Sequence, residues 1–212
     1  ACAAGKFKKE IGTALCSTCP PNSFTSNLST AENKCACNAG FTGPDGGDNC
    51  EACVPGTYKS EMGTAACTEC PFHTYNPDSN ATSIAACREC MENSETEEIY
   101  GHESIDACMC VSGWYHDTRE SCAPCEPGEF NAERNQSMCS NCSAGTYSNA
   151  SNATSNATCL ACAPGTYSYE GSRACTPCPL FATSPLGAGH VDLCVCQAGY
   201  RDNLGHCEAC RV

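Results

Sequence analysis

CVPGTYKSEMGTAACTEC, residues 53–70, is the unit from which nearly the whole chain is built. It opens with a cysteine, continues through Pro-Gly and a tyrosine, and ends on two cysteines with two residues between them. This doublet occurs at 16/19, 50/53, 67/70, 87/90, 122/125, 139/142, 159/162, 175/178 and 207/210. A closer doublet, with one residue between the cysteines, occurs at 35/37, 108/110 and 194/196. Because the intervening loops are all short, the sequence is a tandem repeat of one small unit.

The cysteine content decides the class of protein. The chain has 25 cysteines in 212 residues, a density typical of a disulfide framework in an oxidising compartment. Leu, Ile, Val and Phe together make up roughly a tenth of the residues, too few for an ordinary apolar core. Each loop closed by a disulfide gains on the order of 3 kcal/mol in the loop-entropy model. We therefore expect an extracellular chain of small stapled modules, secreted or part of a cell-surface ectodomain.

Charge excludes two classes of partner. The formal net charge is -13, from 24 acidic and 11 basic residues, whereas nucleic acids and anionic membranes attract clustered Lys and Arg. No apolar run approaches the length of a membrane span, so we expect no nucleic-acid partner and no direct membrane insertion by this segment. The sequence starts and stops inside the repeat pattern, and we expect it to be a processed chain or part of a longer one.

Most loops open with the motif Cys-x-x-Gly-x-Tyr/Phe, as in Cys53-Val-Pro-Gly56-Thr-Tyr58. Proline followed by glycine predicts a tight turn, because Gly accepts a positive φ, and a short strand should follow. We expect the aromatic ring to cover the disulfide. The motif is largely lost at Cys178-Pro-Leu-Phe181.

A second motif, Cys-x-Cys-x-x-Gly-aromatic, closes three larger blocks. The blocks are residues 2–50, 53–122 and 125–207, and residues 208–212 begin a further module. We predict a small disulfide-rich fold, mostly β and irregular, in which modules with short β-hairpins form an elongated tandem array with little or no helix.

These motifs together resemble the ephrin-receptor-like, or GCC-type, cysteine-rich repeat. They are related in style to epidermal growth factor-like (EGF-like) modules and to the cysteine-rich domains of tumour necrosis factor receptors. A weaker similarity is to the shafts of mastigonemes, which are extracellular fibres. The resemblance covers essentially all of residues 2–210 and implies stacked hairpin modules without a catalytic scaffold.

Two disulfide connectivities fit the cysteines. Closure of each loop on itself begins 2–16, 19–35, and an interlaced scheme begins 2–19, 16–35. Resemblance to tumour necrosis factor receptor modules favours the first. Both schemes contain the bonds Cys37–Cys50, Cys110–Cys122 and Cys196–Cys207. Cys210 is left over in both, and we expect its partner to lie outside these residues.

Metal and redox sites explain the cysteine pattern less well than a disulfide framework does. Paired cysteines can bind zinc, but a zinc ribbon would leave the closer doublets unused. Nine Cys-x-x-Cys pairs cannot all be thioredoxin-like sites. The loop around Asp45 and Asp48 could hold calcium, but a flexible turn explains it better. We expect no metal, no other cofactor, no catalytic residues and no enzymatic activity.

Glycosylation sequons are frequent. We expect N-linked glycan on six asparagines, Asn27, Asn80, Asn135, Asn149, Asn152 and Asn156. A seventh sequon asparagine, Asn141, lies between two cysteines and is the least accessible.

Two functions fit these features. The first is a non-catalytic structural protein, a disulfide-stapled glycosylated rod or stalk that spaces domains or builds a surface fibre. Its partners would be neighbouring modules or further copies of itself in a filament. The alternative is a receptor ectodomain that binds a protein ligand.

Overall fold

The computed structural model describes residues 1–26, 29–44 and 46–210, and only the backbone of Asn33. Contacts between Cα atoms divide the chain into two compact units. The first unit comprises Ala1–Met91 with Glu95–Cys108, and the second comprises Glu92–Ser94 with Met109–Val212. The three-block division of the sequence at 2–50, 53–122 and 125–207, with a further module from 208, stays a prediction.

Short strands are the main regular structure of the described residues. They are β1 Lys6–Phe7, β2 Ser17–Thr18, β3 Ser23–Phe24, β4 Ala36–Cys37, β5 Phe41–Thr42, β6 Glu51–Ala52, β7 Thr57–Tyr58, β8 Thr68–Glu69, β9 Thr74–Tyr75, β10 Arg88–Glu89, β11 Ser94–Glu95, β12 Met109–Cys110, β13 Trp114–Thr118, β14 Ser121–Pro124, β15 Glu129–Phe130, β16 Ser140–Asn141, β17 Thr146–Tyr147, β18 Leu160–Ala161, β19 Thr166–Tyr167, β20 Thr176–Pro177, β21 Ala182–Thr183, β22 Val195–Cys196, β23 Tyr200–Asn203 and β24 His206–Ala209.

The strands pair in sequence order, β1 with β2, β3 with β4, and so on to β23 with β24. Each pair is a separate two-stranded sheet. In the hairpin of β7 and β8, for example, Thr57 lies opposite Glu69 and Tyr58 opposite Thr68, in antiparallel register. The predicted fold class, a tandem array of small disulfide-rich hairpin modules with little helix, is confirmed.

The turn that opens each hairpin follows from its sequence. Thr57 donates a backbone hydrogen bond to Val54 at 3.2 Å, and Pro55 and Gly56 occupy the two central positions, the arrangement of a type II turn. Gly56 has a φ of 80°, which only glycine adopts without strain. Phe181 stands at the corresponding position with a φ of 63°, so the turn survives where the sequence motif is largely lost.

Helical structure in the described residues is limited to short 3₁₀ turns. They are Glu32–Lys34, Ile84–Ala86, Ile105–Ala107, Asn156–Thr158 and Val191–Leu193. Each one ends directly before a cysteine, whose backbone N–H donates to the first carbonyl of the turn, as Cys87 does to Ile84 at 2.9 Å. The turns therefore position the closing cysteines of long loops. None of the helices in the described part of the chain is long and apolar enough to cross a bilayer.

Twelve disulfides form the core. They join 2–16, 19–35, 37–50, 53–67, 70–87, 90–108, 110–122, 125–139, 142–159, 162–175, 178–194 and 196–207. Most of the opening cysteines are buried, and Cys70, Cys110 and Cys125 have no exposed surface. Sulfur thus takes the place of the aliphatic side chains that this composition lacks.

Candidate functional site

The contacts between successive loops are the most regular feature of the molecule, and we call them the interloop seam. Its first component is the glycine of the opening turn. The Gly40 N–H donates to the Lys59 carbonyl at 2.9 Å, and the Gly56 N–H donates to the Asn76 carbonyl at 2.8 Å. The same bond joins Gly5 to Thr25, Gly113 to Asn131, Gly145 to Ser168 and Gly165 to Ser184. Each acceptor lies in the next loop.

The second component of the seam is the residue that follows the aromatic position. It is polar and buried in eight loops, at Thr25, Lys59, Asn76, Thr96, Asn131, Ser148, Ser168 and Ser184. Its side chain commonly donates to a strand carbonyl of the preceding loop: Asn76 Nδ2 to Thr57 at 3.0 Å and Ser168 Oγ to Thr146 at 2.9 Å. No buried side-chain nitrogen or oxygen in the described residues lacks a hydrogen-bond partner.

The asparagines at this position make a second hydrogen bond. Asn131 Nδ2 donates to the Trp114 carbonyl at 2.7 Å, and its Oδ1 accepts from the Glu133 N–H at 3.3 Å. Asn76 does the same with Thr57 and the Asp78 N–H. A buried amide therefore fixes both the junction with the preceding loop and the conformation of its own loop.

Lys59 is the charged member of this series. Its Nζ donates to the Phe41 carbonyl at 2.6 Å and to the Gly63 carbonyl. The residue is buried, and burial lowers the pKa of Lys59 below its ordinary value because desolvation disfavours the ammonium.

The third component of the seam is a residue with positive φ in the middle of several loops. Asn80, with a φ of 51°, donates its N–H to the Cys53 carbonyl at 2.8 Å. Its carbonyl oxygen occupies the space that a Cβ atom would need at Gly40. Equivalent carbonyls fill that space at Gly56, Gly113, Gly128 and Gly145, and they belong to Gly101, Asn152, Gly171 and Gly187. Each of these five loops therefore contacts both the loop before it and the one before that.

The seam was not singled out by sequence reasoning. Cysteine spacing and the turn glycines were visible in the repeat, but the partners of the buried polar residues lie some 20 residues away, at a separation of 19 for Asn76 and Thr57. A signal was present, because the residue after the aromatic is polar in every long loop that has the aromatic.

The three disulfides common to both sequence-derived schemes are formed in the structure. Cys37–Cys50, Cys110–Cys122 and Cys196–Cys207 are bonded, with Cα–Cα distances of 5.5, 5.7 and 5.4 Å. Cys210 is exposed and has no disulfide partner among the described residues. Its N–H donates to the Gly199 carbonyl at 2.9 Å, as the Cys53 N–H does to Gly40. Cys210 thus has the backbone position of an opening cysteine.

The sequon asparagines differ in environment. Five of the sequon side chains are exposed, namely those of Asn80, Asn135, Asn149, Asn152 and Asn156. The Asn135 Oδ1 lies 2.8 Å from His116 Nε2. Asn141 is also exposed, and a Cβ atom at Gly171 would lie 3.1 Å from its Oδ1. Asn27 lies outside the described residues. Glycan at these positions stays a prediction.

One cluster combines residue types that bind metals. Among the described residues, Cys110, His116 and Cys122 have their ligand atoms within 4.8 Å of one another. The two sulfurs form a disulfide, so neither is available as the thiolate that zinc binds.

The local hairpins, the stapled core and the seam can be compared with known proteins. The family described as tyrosine-protein kinase ephrin type A/B receptor-like matches residues 40–87. Ephrin type-A receptor 4-B of Xenopus laevis is 44% identical over 54 residues, which is 26% of this chain and 5% of the receptor. These matches support an array of cysteine-rich repeats similar to the ephrin-receptor-like type.

Longer matches extend across the array. "Sushi, von Willebrand factor type A, EGF and pentraxin domain-containing protein 1" of Rattus norvegicus is 28% identical over 210 residues, 94% of this chain and 6% of that protein. "Signal peptide, CUB and EGF-like domain-containing protein 2" of Mus musculus is 31% identical over 145 residues, 65% of this chain and 13% of that protein. The array thus spans a small fraction of the relatives it matches. With its twelve disulfides, it is extracellular, secreted or part of a cell-surface ectodomain.

Proposed function

We propose that the array is a non-catalytic structural element, a disulfide-stapled and glycosylated rod or stalk that spaces domains or builds a surface fibre. The observation that carries the proposal is the interloop seam. Within each compact unit its hydrogen bonds join loops that are neighbours in sequence through backbone groups and buried polar side chains, and such bonds resist bending without a large apolar core.

Two further features support a spacer. In the described residues, every disulfide joins cysteines 11 to 18 positions apart, so no disulfide there ties distant parts of the chain together. Among the described residues, the one cluster of metal-ligand types has its sulfurs in a disulfide. Partners of the array would be neighbouring modules of a longer chain, or further copies in a filament.

Small-angle X-ray scattering of the purified chain tests the proposal. A rod gives a maximum dimension several times its cross-section, and a compact particle of this length has a radius of gyration of about 17 Å. The compact result would contradict the spacer function. Electron microscopy of the same material distinguishes dispersed rods from filaments.

Cys210 bears on the filament. We propose that its disulfide partner lies outside these residues, because its backbone already has the position of an opening cysteine. Non-reducing electrophoresis of the native protein tests this. A ladder of multimers that reductant collapses indicates a covalent polymer, and one monomer band with a titratable thiol contradicts any external partner.

A second function, binding of a protein ligand, is favoured by exposed aromatic residues. Phe72 and Tyr100 stack with ring centroids 4.1 Å apart, although Tyr100 is 54% exposed and the neighbouring Ile99 is 55% exposed. Phe181 and Tyr200 stack in the same way at 4.3 Å. Exposed aromatic anchors are typical of binding hot spots. Cell-surface binding that Tyr100→Ser abolishes at an unchanged melting temperature would support an ectodomain; unchanged binding would count against it.

A further inference from the structure

The residues with positive φ at the seam fall into two chemical groups. In the loops that make the seam, the residue whose N–H donates to the preceding opening cysteine is glycine at 63, 101, 171 and 187 and asparagine at 80, 135 and 152. Glycine shows that the position needs only a backbone of positive φ. Asparagine also tolerates that conformation, so the backbone alone explains why asparagine is found there.

The backbone does not explain the residue two positions later. All three seam asparagines are followed by a hydroxyl residue at that distance: Thr82, Ser137 and Thr154. The asparagines with positive φ outside this position, at 22, 49 and 93, are followed by Phe24, Glu51 and Glu95. After the seam glycines the same position holds Ala65, Glu103, Arg173 and Gly189. Among the described asparagines with positive φ, a hydroxyl residue therefore follows two positions later only at the seam.

Hydrogen bonding within the described part of the chain does not explain these hydroxyls. Thr82, Ser137 and Thr154 are exposed, and none of them forms a hydrogen bond through its side chain with another described residue. Thr158, the hydroxyl residue of the Asn156 sequon, differs because its Oγ1 donates to the Ser155 carbonyl at 3.0 Å. Its presence is explained by the 3₁₀ turn.

We propose that Asn80, Asn135 and Asn152 are the principal N-glycosylation sites of this chain, and that each glycan leaves the molecule at a junction between loops. Their backbone N–H groups hold the seam, while their exposed side chains carry the sugar. Asn141 lies between Cys139 and Cys142, which belong to two different disulfides, and its Oδ1 lies 3.1 Å from where a Cβ atom would stand at Gly171, so Asn141 stays unmodified. The inference rests on the proposed glycosylated spacer and identifies where its glycans stand.

The modification is a transfer from a lipid-linked oligosaccharide. The side-chain Nδ2 forms a bond to C1 of the first N-acetylglucosamine and loses one proton. The bond from C1 to the donor diphosphate breaks, and the diphosphate leaves with its electron pair. The Asn135 Oδ1 keeps its contact with His116, because the sugar attaches to the nitrogen.

Site occupancy in the chain secreted by cultured animal cells tests the proposal. Glycosidase treatment in ¹⁸O-water, followed by peptide mass mapping, converts each modified asparagine to labelled aspartate. We expect high occupancy at 80, 135 and 152, lower occupancy at 156, and none at 141. Bare asparagine at any of the three seam positions, or occupancy at Asn141 equal to theirs, overturns the proposal.

Matched variants at one site separate sugar from backbone. Thr154→Ala keeps the asparagine, Asn152→Gly keeps the positive-φ backbone, and Asn152→Ala keeps neither sequon nor an easy positive φ. All three should lose the mass of one oligosaccharide, and only Asn152→Ala should melt at a lower temperature than Thr154→Ala. Loss of no mass in Thr154→Ala contradicts modification at Asn152. X-ray scattering from the enzymatically deglycosylated chain tests the spacer function separately. A rod-like particle whose seam asparagines carry no glycan would therefore refute this inference and leave the proposed spacer function standing.

Discussion

Replacement of Asn131 by alanine tests the buried polar residue of the seam most directly. Asn131 is 4% exposed and makes two side-chain hydrogen bonds, from Nδ2 to the Trp114 carbonyl and from the Glu133 N–H to Oδ1. Alanine leaves that carbonyl and that N–H without partners. Such groups cost about 1–3 kcal/mol when they stay buried, so we expect a loss of that size in the free energy of unfolding.

Trp114 provides the assay, because it is the only tryptophan of the chain and its own carbonyl accepts the bond. Urea unfolding with intact disulfides, followed by Trp114 fluorescence, reports on this junction. With a denaturant slope of about 1 kcal/mol/M, the expected loss moves the midpoint down by about 1–3 M.

Two variants make this result interpretable. Asn131→Ser should lose less, because Ser168 and Ser184 donate to the equivalent carbonyls elsewhere in the array. Glu133→Ala keeps the backbone N–H and removes an exposed side chain, so its midpoint should equal that of the unmodified chain. An Asn131→Ala midpoint within error of Glu133→Ala would refute the seam as a source of stability.

Three further outcomes are expected. Gly113→Ala puts a methyl group 2.5 Å from the Asn152 carbonyl oxygen, whereas Gly199→Ala, at a similar φ, meets no heavy atom within 4 Å. The free energy of unfolding should therefore fall by about 1–3 kcal/mol more in Gly113→Ala than in Gly199→Ala. Equal thermal midpoints for the two variants would argue against carbonyl docking. Reductant should unfold the chain and expose it to proteases while chelator leaves its circular dichroism unchanged; unfolding by chelator alone, with many titratable thiols, would indicate zinc. Burial lowers the pKa of Lys59 below 10.5, so its ammonium destabilises the fold below that lowered pKa. The free energy of unfolding, relative to that of Lys59→Met, should therefore rise with pH between the lowered pKa and 10.5. A difference between the two proteins that stays flat up to pH 10.5, measured with Cys210 alkylated, would contradict this.

The organisation into hairpins could be predicted from the sequence because its determinants are local. The turn around Pro55 and Gly56 and the short strand at Tyr58 depend on residues within one loop. Phe181 shows the limit of such reasoning, since hydrogen bonding on both sides of the turn imposes a positive φ on a residue that disfavours it. The docking of the Asn80 carbonyl on Gly40 could not be predicted, because nothing in either residue identifies the other as its partner.

The disulfide pattern also determines how the chain responds to tension. Each loop is closed at its base, where the two Cα atoms lie 5.4 to 5.7 Å apart. A pulling force therefore passes through the disulfide and the two or three peptide units that lead to the next loop. The Cys70–Cys87 loop, with a separation of 17 residues, keeps about 60 Å of extended chain out of that path. The oxidised chain should therefore lengthen very little under tension, and reduction of a single disulfide should add the length of one loop.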